Sequence, residues 1–120
     1  MKIEERPWGN FVTLVDSSTH KVKSIIIHPG KRISLQRHRK RSEVWTCVNG
    51  IIMVQLGTDV NNLKHEFIYP GDSIKIPQGY IHRATSVGTD KDAIFIEVQT
   101  GTYFGEDDIE RFEDDYGRIT

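Results

Sequence analysis

The feature that most constrains this chain is its punctuation. Its apolar runs, such as Ser24-Ile-Ile-Ile27 and Asn49-Gly-Ile-Ile-Met-Val54, are no longer than a strand, and Gly, Pro or Asn breaks recur between them. Alternation and β-branched content predict strands over residues 11–16, 22–28, 33–38, 43–48, 51–56, 63–69, 73–76, 80–86 and 92–99. Pro29-Gly30, Pro70-Gly71 and Pro77-Gln-Gly79 separate several of them, and Asn49-Gly50 reads as a two-residue hairpin turn. Nine short strands without a helix among them imply an all-β fold, an antiparallel sandwich or barrel.

Only the tail differs. Seven of the ten residues from Glu106 to Asp115 are acidic, and Ile109 and Phe112 stand three apart. That spacing predicts a short C-terminal helix packed through those two side chains, with a solvated acidic face.

The 120 residues suffice for one hydrophobic core, so a single domain over 1–120 is expected. A net charge of −1 gives no overall attraction to nucleic acid or to an anionic membrane. The apolar runs fall far below the roughly 20 residues of a membrane span, and the Met1 to Arg6 stretch does not lead into a signal-peptide core. The single cysteine, Cys47, reads as a small buried hydrophobe. Cytoplasm is the expected compartment.

Two stretches concentrate candidate ligands. Gln36 and His38 are two apart and share one face of an extended chain, and a strand starting near Glu43 folds back toward them. A second half runs from Gly71 through Pro77 and Gly79 to His82. His20, His28 and His65 fit neither stretch and read as surface or packing residues.

The spacing Gly30, Gln36-x-His38, Glu43, Gly50 resembles the first cupin motif, with Gln in place of its usual first His, and Gly71, Pro77-x-Gly79, His82 resembles the second. More narrowly, Arg6-Pro7-Trp8-Gly9, the stretch from Leu35 to Trp45, Ile76 to Arg83, Ile96 to Tyr103 and Gly105 to Arg118 resemble type II mannose-6-phosphate isomerases. The resemblance implies a cupin jelly roll whose metal ligands are Gln36, His38, Glu43 and His82. It implies a divalent ion, with zinc placed first and cobalt, manganese, iron or nickel as alternatives. It also implies interconversion of mannose 6-phosphate and fructose 6-phosphate through an enediolate, and a homodimer, for which an open edge at residues 11–15 would serve.

On that pattern Arg41 faces the pocket and binds phosphate or stabilises the enediolate, and Arg83 and Lys31 are further candidates for binding the sugar phosphate. The rest of the basic cluster, Arg37, Arg39 and Lys40, reads as solvated. Glu97 is the candidate base if its strand face lines the cavity, and an exposed carboxylate if that face meets water. Many relatives carry a nucleotidyltransferase domain, which this sequence does not encode, so guanylyl transfer is not expected of it. A non-catalytic metal- and sugar-binding cupin, or a metal enzyme for another sugar, are the alternatives.

Overall fold

Alternation along β5 (Arg41–Asn49) shows how the molecule is built. Arg41, Glu43, Trp45 and Cys47 are buried, while Ser42, Val44, Thr46 and Val48 face away. Polar and apolar side chains thus share the interior. The computed structural model describes residues 2–119.

Two antiparallel sheets pack face to face. One has the order β1 (Ile3–Arg6), β2 (Gly9–Asp16), β3 (His20–Ile27), β10 (Ala93–Gly101), β5 and β8 (Ser73–Ile76). The other runs β11 (Glu110–Glu113), β4 (Leu35–Arg37), β9 (Ile81–Ser86), β6 (Ile52–Gly57) and β7 (Lys64–Ile68). Trp8, Phe11, Ile27, Trp45, Ile52, Val54, Ala84 and Phe95 pack together between them. The all-β antiparallel reading of the sequence is the observed architecture.

Three expectations need correction. Asn49-Gly50 does not close a hairpin: β5 pairs with β10 and β8, and β6 with β7 and β9, so the turn carries the chain from one sheet to the other. Gly50 has φ +74°, and a Cβ there would lie 2.6 Å from the Asp92 carbonyl oxygen, so the crossing demands glycine. The edge at residues 11–15 is partly covered, because β1, unread in the sequence, pairs with β2 from Gly9 to Val12.

The third correction concerns the tail, where the chain is extended rather than helical. β11 pairs with β4, so its backbone groups find partners in the sheet. The acidic run also meets the basic run directly. Glu110 pairs with Arg37 and Arg39, Asp115 with Arg32, and Glu106 with Lys23, so neither run is simply a solvated face. These long-range pairs hold the tail along the barrel.

One row of registered residues positions the site. Arg111 on β11 lies opposite Gln36 on β4, which lies opposite His82 on β9. Cross-strand partners share a face. Arg111, Gln36 and His82 all line the same interior cavity.

Candidate metal centre

Three strands supply the centre. β5 contributes Glu43, β9 contributes His82, and His38 follows directly after β4. Each is at most 6% exposed, and one ligand atom from each lies within 4.8 Å of the others. Nε2 of His38 is 3.4 Å from Glu43 Oε2, and Nε2 of His82 is 3.8 Å from Glu43 Oε1.

Hydrogen bonding determines the tautomers. Nδ1 of His38 is 2.6 Å from the Asp108 carbonyl oxygen, and Nδ1 of His82 is 3.0 Å from that of Tyr80. A carbonyl only accepts, so each Nδ1 carries a proton and each Nε2 faces Glu43. This is the arrangement of histidines that bind metals, oriented by a carbonyl behind the ring. Burial, with His82 and Arg41 nearby, lowers the His38 pKa to about 3, which keeps its imidazole neutral.

Burial raises the Glu43 pKa, but His82, Arg41 and hydrogen bonding outweigh it and hold the carboxyl below its usual range. Arg41 Nε donates to Glu43 Oε2 at 2.9 Å, and Arg41 Nη2 lies 3.2 Å from His38 Nε2. The guanidinium thus sits on two of the donor groups a cation would use. Its Nη1 is buried and has no hydrogen-bond partner.

Glu97 resolves the alternative left by the sequence. Its strand buries Phe95, Glu97 and Gln99 and turns Ile94, Ile96 and Val98 outward, so the polar face is the inner one. Trp45 Nε1 bridges Glu43 Oε1 at 2.9 Å and Glu97 Oε1 at 3.0 Å. Burial and the facing Glu43 carboxylate raise the Glu97 pKa to about 7. Two neighbouring carboxyl groups therefore titrate apart, Glu97 exchanging its proton near neutrality and Glu43 staying ionised below it.

Of the residues singled out in the sequence, Gln36, His38, Arg41, Glu43, His82 and Glu97 all line one cavity. Arg83 and Lys31 do not. Arg83 follows His82 and points to the opposite face, donating to the Ile33 carbonyl at 3.0 Å and to Glu113 at 3.1 Å, and so ties β11 to the sheet. Lys31 lies exposed in the loop before β4. Both are displaced from the site for the same reason: their places in the chain turn them out of the barrel.

The cavity is also lined by residues to which the sequence alone assigns no role, namely Arg6, Lys23, Glu106, Arg111 and Arg118. Lys23 shares the inward face of β3 with Ile25 and Ile27, a period-two signal masked by its charge. Ile109 and Arg111 reach the cavity by the same alternation.

Comparison with known proteins gives this geometry a family. A family model described as "Mannose-6-phosphate isomerase C-terminal" matches residues 2–114. The chain belongs to that family. Solved structures agree on the fold: the capsular polysaccharide assembling protein CapF of Staphylococcus aureus gives a TM-score of 0.81 at 20% identity, over 93% of this chain and 34% of that one. The oxalate decarboxylase of Lactobacillus farciminis gives 0.79 at 23% identity, over 92% and 33%. These neighbours support the cupin architecture alone.

Sequence relatives correct the expected activity. A mannose-1-phosphate guanylyltransferase of Sinorhizobium fredii is 41% identical over 92% of this chain and 20% of its own length. The alginate biosynthesis protein AlgA of Pseudomonas fluorescens is 42% identical over 96% and 23%, and the xanthan biosynthesis protein XanB of Xanthomonas campestris 42% over 94% and 23%. These relatives are not named as isomerases, and the expectation of a mannose-6-phosphate isomerase, with zinc as its characteristic metal, is overturned by them. This chain of the isomerase C-terminal family spans between a fifth and a quarter of the relatives' length.

Proposed function

We propose that this chain holds a divalent metal ion in the Gln36, His38, Glu43 and His82 set and binds a phosphorylated sugar beside it, with mannose 1-phosphate the first candidate. The paired tautomers carry this reading: both imidazoles give their Nδ1 protons to backbone carbonyls and aim Nε2 at one buried carboxylate. A mixed nitrogen and oxygen donor set fits manganese, cobalt, iron, nickel or zinc and singles out none. A bound divalent ion would supply Lewis-acid binding of sugar oxygens.

The chain's own residues do the rest. Trp45 holds the Glu43 and Glu97 carboxyl groups in register, and Glu97 keeps a proton available near neutral pH. Arg41 turns toward the cavity an Nη1 that no hydrogen bond occupies, 3.9 Å from Glu106 Oε2, and offers it to an anionic ligand. The names of the relatives support a mannose phosphate and a place in the supply of guanylylated mannose for polysaccharide synthesis. The reading includes a cytoplasmic location; no helix among the described residues is long and apolar enough to cross a membrane. It also includes a homodimer, supported by exposed Leu14 and Val15 on the part of β2 that β1 leaves open.

Trp45 emission provides the test, since the indole touches both carboxylates. Mannose 1-phosphate is titrated into the protein with Mn²⁺ or Co²⁺ and again with chelator. Saturable binding that needs the ion is the expected result, and equal binding with chelator would overturn the metal-dependent part of the reading.

A further inference from the structure

Five cationic side chains line the cavity, Arg6, Lys23, Arg41, Arg111 and Arg118, against three carboxylates, Glu43, Glu97 and Glu106. Most of these charges are committed. Arg118 is held by both oxygens of Asp114 at 2.8 and 2.9 Å, Lys23 by Glu106, and Arg41 by Glu43. Arg6 donates to the Glu5 carbonyl and lies 3.7 Å from Glu4. Arg111 has no ion pair among the described residues, and its buried Nε has no hydrogen-bond partner. An uncommitted guanidinium in a cavity is costly unless a ligand completes it.

Its position is also specific. The β11 and β4 register shifts between Arg111 and Glu113, and such an irregularity redirects the side chains beside it. Arg111 stands one strand from Gln36 and two from His82, about 5 Å and about 10 Å in backbone terms. A second buried donor without a hydrogen bond, Nη1 of Arg41, lines the same cavity 3.9 Å from Glu106 Oε2, and the Arg41 side chain is only 4% exposed.

We infer that Arg111, together with the Nη1 of Arg41 that no hydrogen bond occupies and with Arg6 in the same lining, forms an anion subsite that takes the phosphomonoester of a sugar whose hydroxyl groups face the His38, Glu43 and His82 donors. This subsite rests on the sugar-phosphate reading above and adds the group that selects phosphate. Burial lowers the affinity of Arg111 for its own proton first, and Arg118 and Arg6 lower it further, while the Asp114 and Glu106 carboxylates oppose them only in part. A planar fork of donors suits a phosphate dianion.

The test uses the full chain, with Mn²⁺ and with chelator, and compares mannose 1-phosphate, mannose, glucuronate and inorganic phosphate by calorimetry. Wild type is expected to prefer mannose 1-phosphate over mannose by about tenfold or more, Arg111→Gln to erase that preference, and Arg111→Lys to recover part of it. The same preference in folded Arg111→Gln would overturn the subsite, and glucuronate binding as tightly as mannose 1-phosphate would overturn its assignment to a phosphomonoester. Inorganic phosphate with chelator reads the subsite alone. Binding there that Arg111→Gln abolishes supports the subsite even if no ligand shows metal dependence, a result that would count against the metal reading only. Should Arg111→Gln fail to fold, wild type decides: no competition by phosphate overturns the inference, and competition weakened in Arg111→Lys supports it.

Discussion

Arg41 and Glu43 form a buried ion pair, Nε to Oε2 at 2.9 Å, on the carboxylate that the two imidazoles also face. Removing the guanidinium leaves Glu43 to protonate or to remain unpaired in the interior. Arg41→Ala is therefore expected to lose about 3 kcal/mol in urea unfolding with chelator present. Added Mn²⁺ should restore more stability to the variant than it adds to wild type, since Arg41 no longer occupies the Glu43 and His38 donors. Unchanged stability of the variant in chelator would show that the pair contributes nothing.

Asp108 fastens the tail to the strand ends around the site. Its carboxylate accepts from the Arg39 and Lys40 amides at 3.1 and 3.0 Å, while its carbonyl accepts from His38 Nδ1. Asp108→Ala should cost about 2 kcal/mol and speed hydrogen exchange at the Arg39 and Lys40 amides. Exchange at wild-type rates would mean that the carboxylate does not hold the loop.

Strong acid should loosen the tail. The Arg118 guanidinium lowers the Asp114 pKa from 3.8 to about 2, so the stabilisation from ionised Asp114 is complete above pH 3.8 and is lost as pH falls through about 2. Asp114→Asn should be less stable than wild type at neutral pH, with the two curves converging toward pH 2. A constant difference across that range would contradict the assignment.

Gly50 should resist substitution. With φ at +74° and the Asp92 carbonyl 2.6 Å from any Cβ, Gly50→Ala is expected to cost about 2 kcal/mol or more in thermal unfolding. A neutral substitution would imply that the crossing between sheets can move.

Local alternation made much of the fold legible. Phe95, Glu97 and Gln99 share a face whatever the rest of the chain does, and Gln36, His38, Glu43 and His82 are placed by nearby Gly and Pro turns. Sheet membership was not legible in the same way. Asn49-Gly50 is as good a turn for a crossing as for a hairpin, and only the pairing of β5 with β10 decides between them. The tail shows the same limit, because Ile109 and Phe112 fit a helical spacing while Glu110 answers Arg37 from 73 positions away. The inward turn of Lys23 and Arg111 is hidden for a related reason: charge suggests the surface, and only the assembled barrel shows them turned inward.

Metal stoichiometry tests the central claim most directly. Metal-free protein is titrated with Mn²⁺ or Co²⁺ by calorimetry, beside Glu43→Gln and His82→Ala. The account predicts one ion per chain, with affinity reduced about a hundredfold or more in each variant. Absence of binding by folded wild type, or equal binding by wild type and both variants, would contradict it.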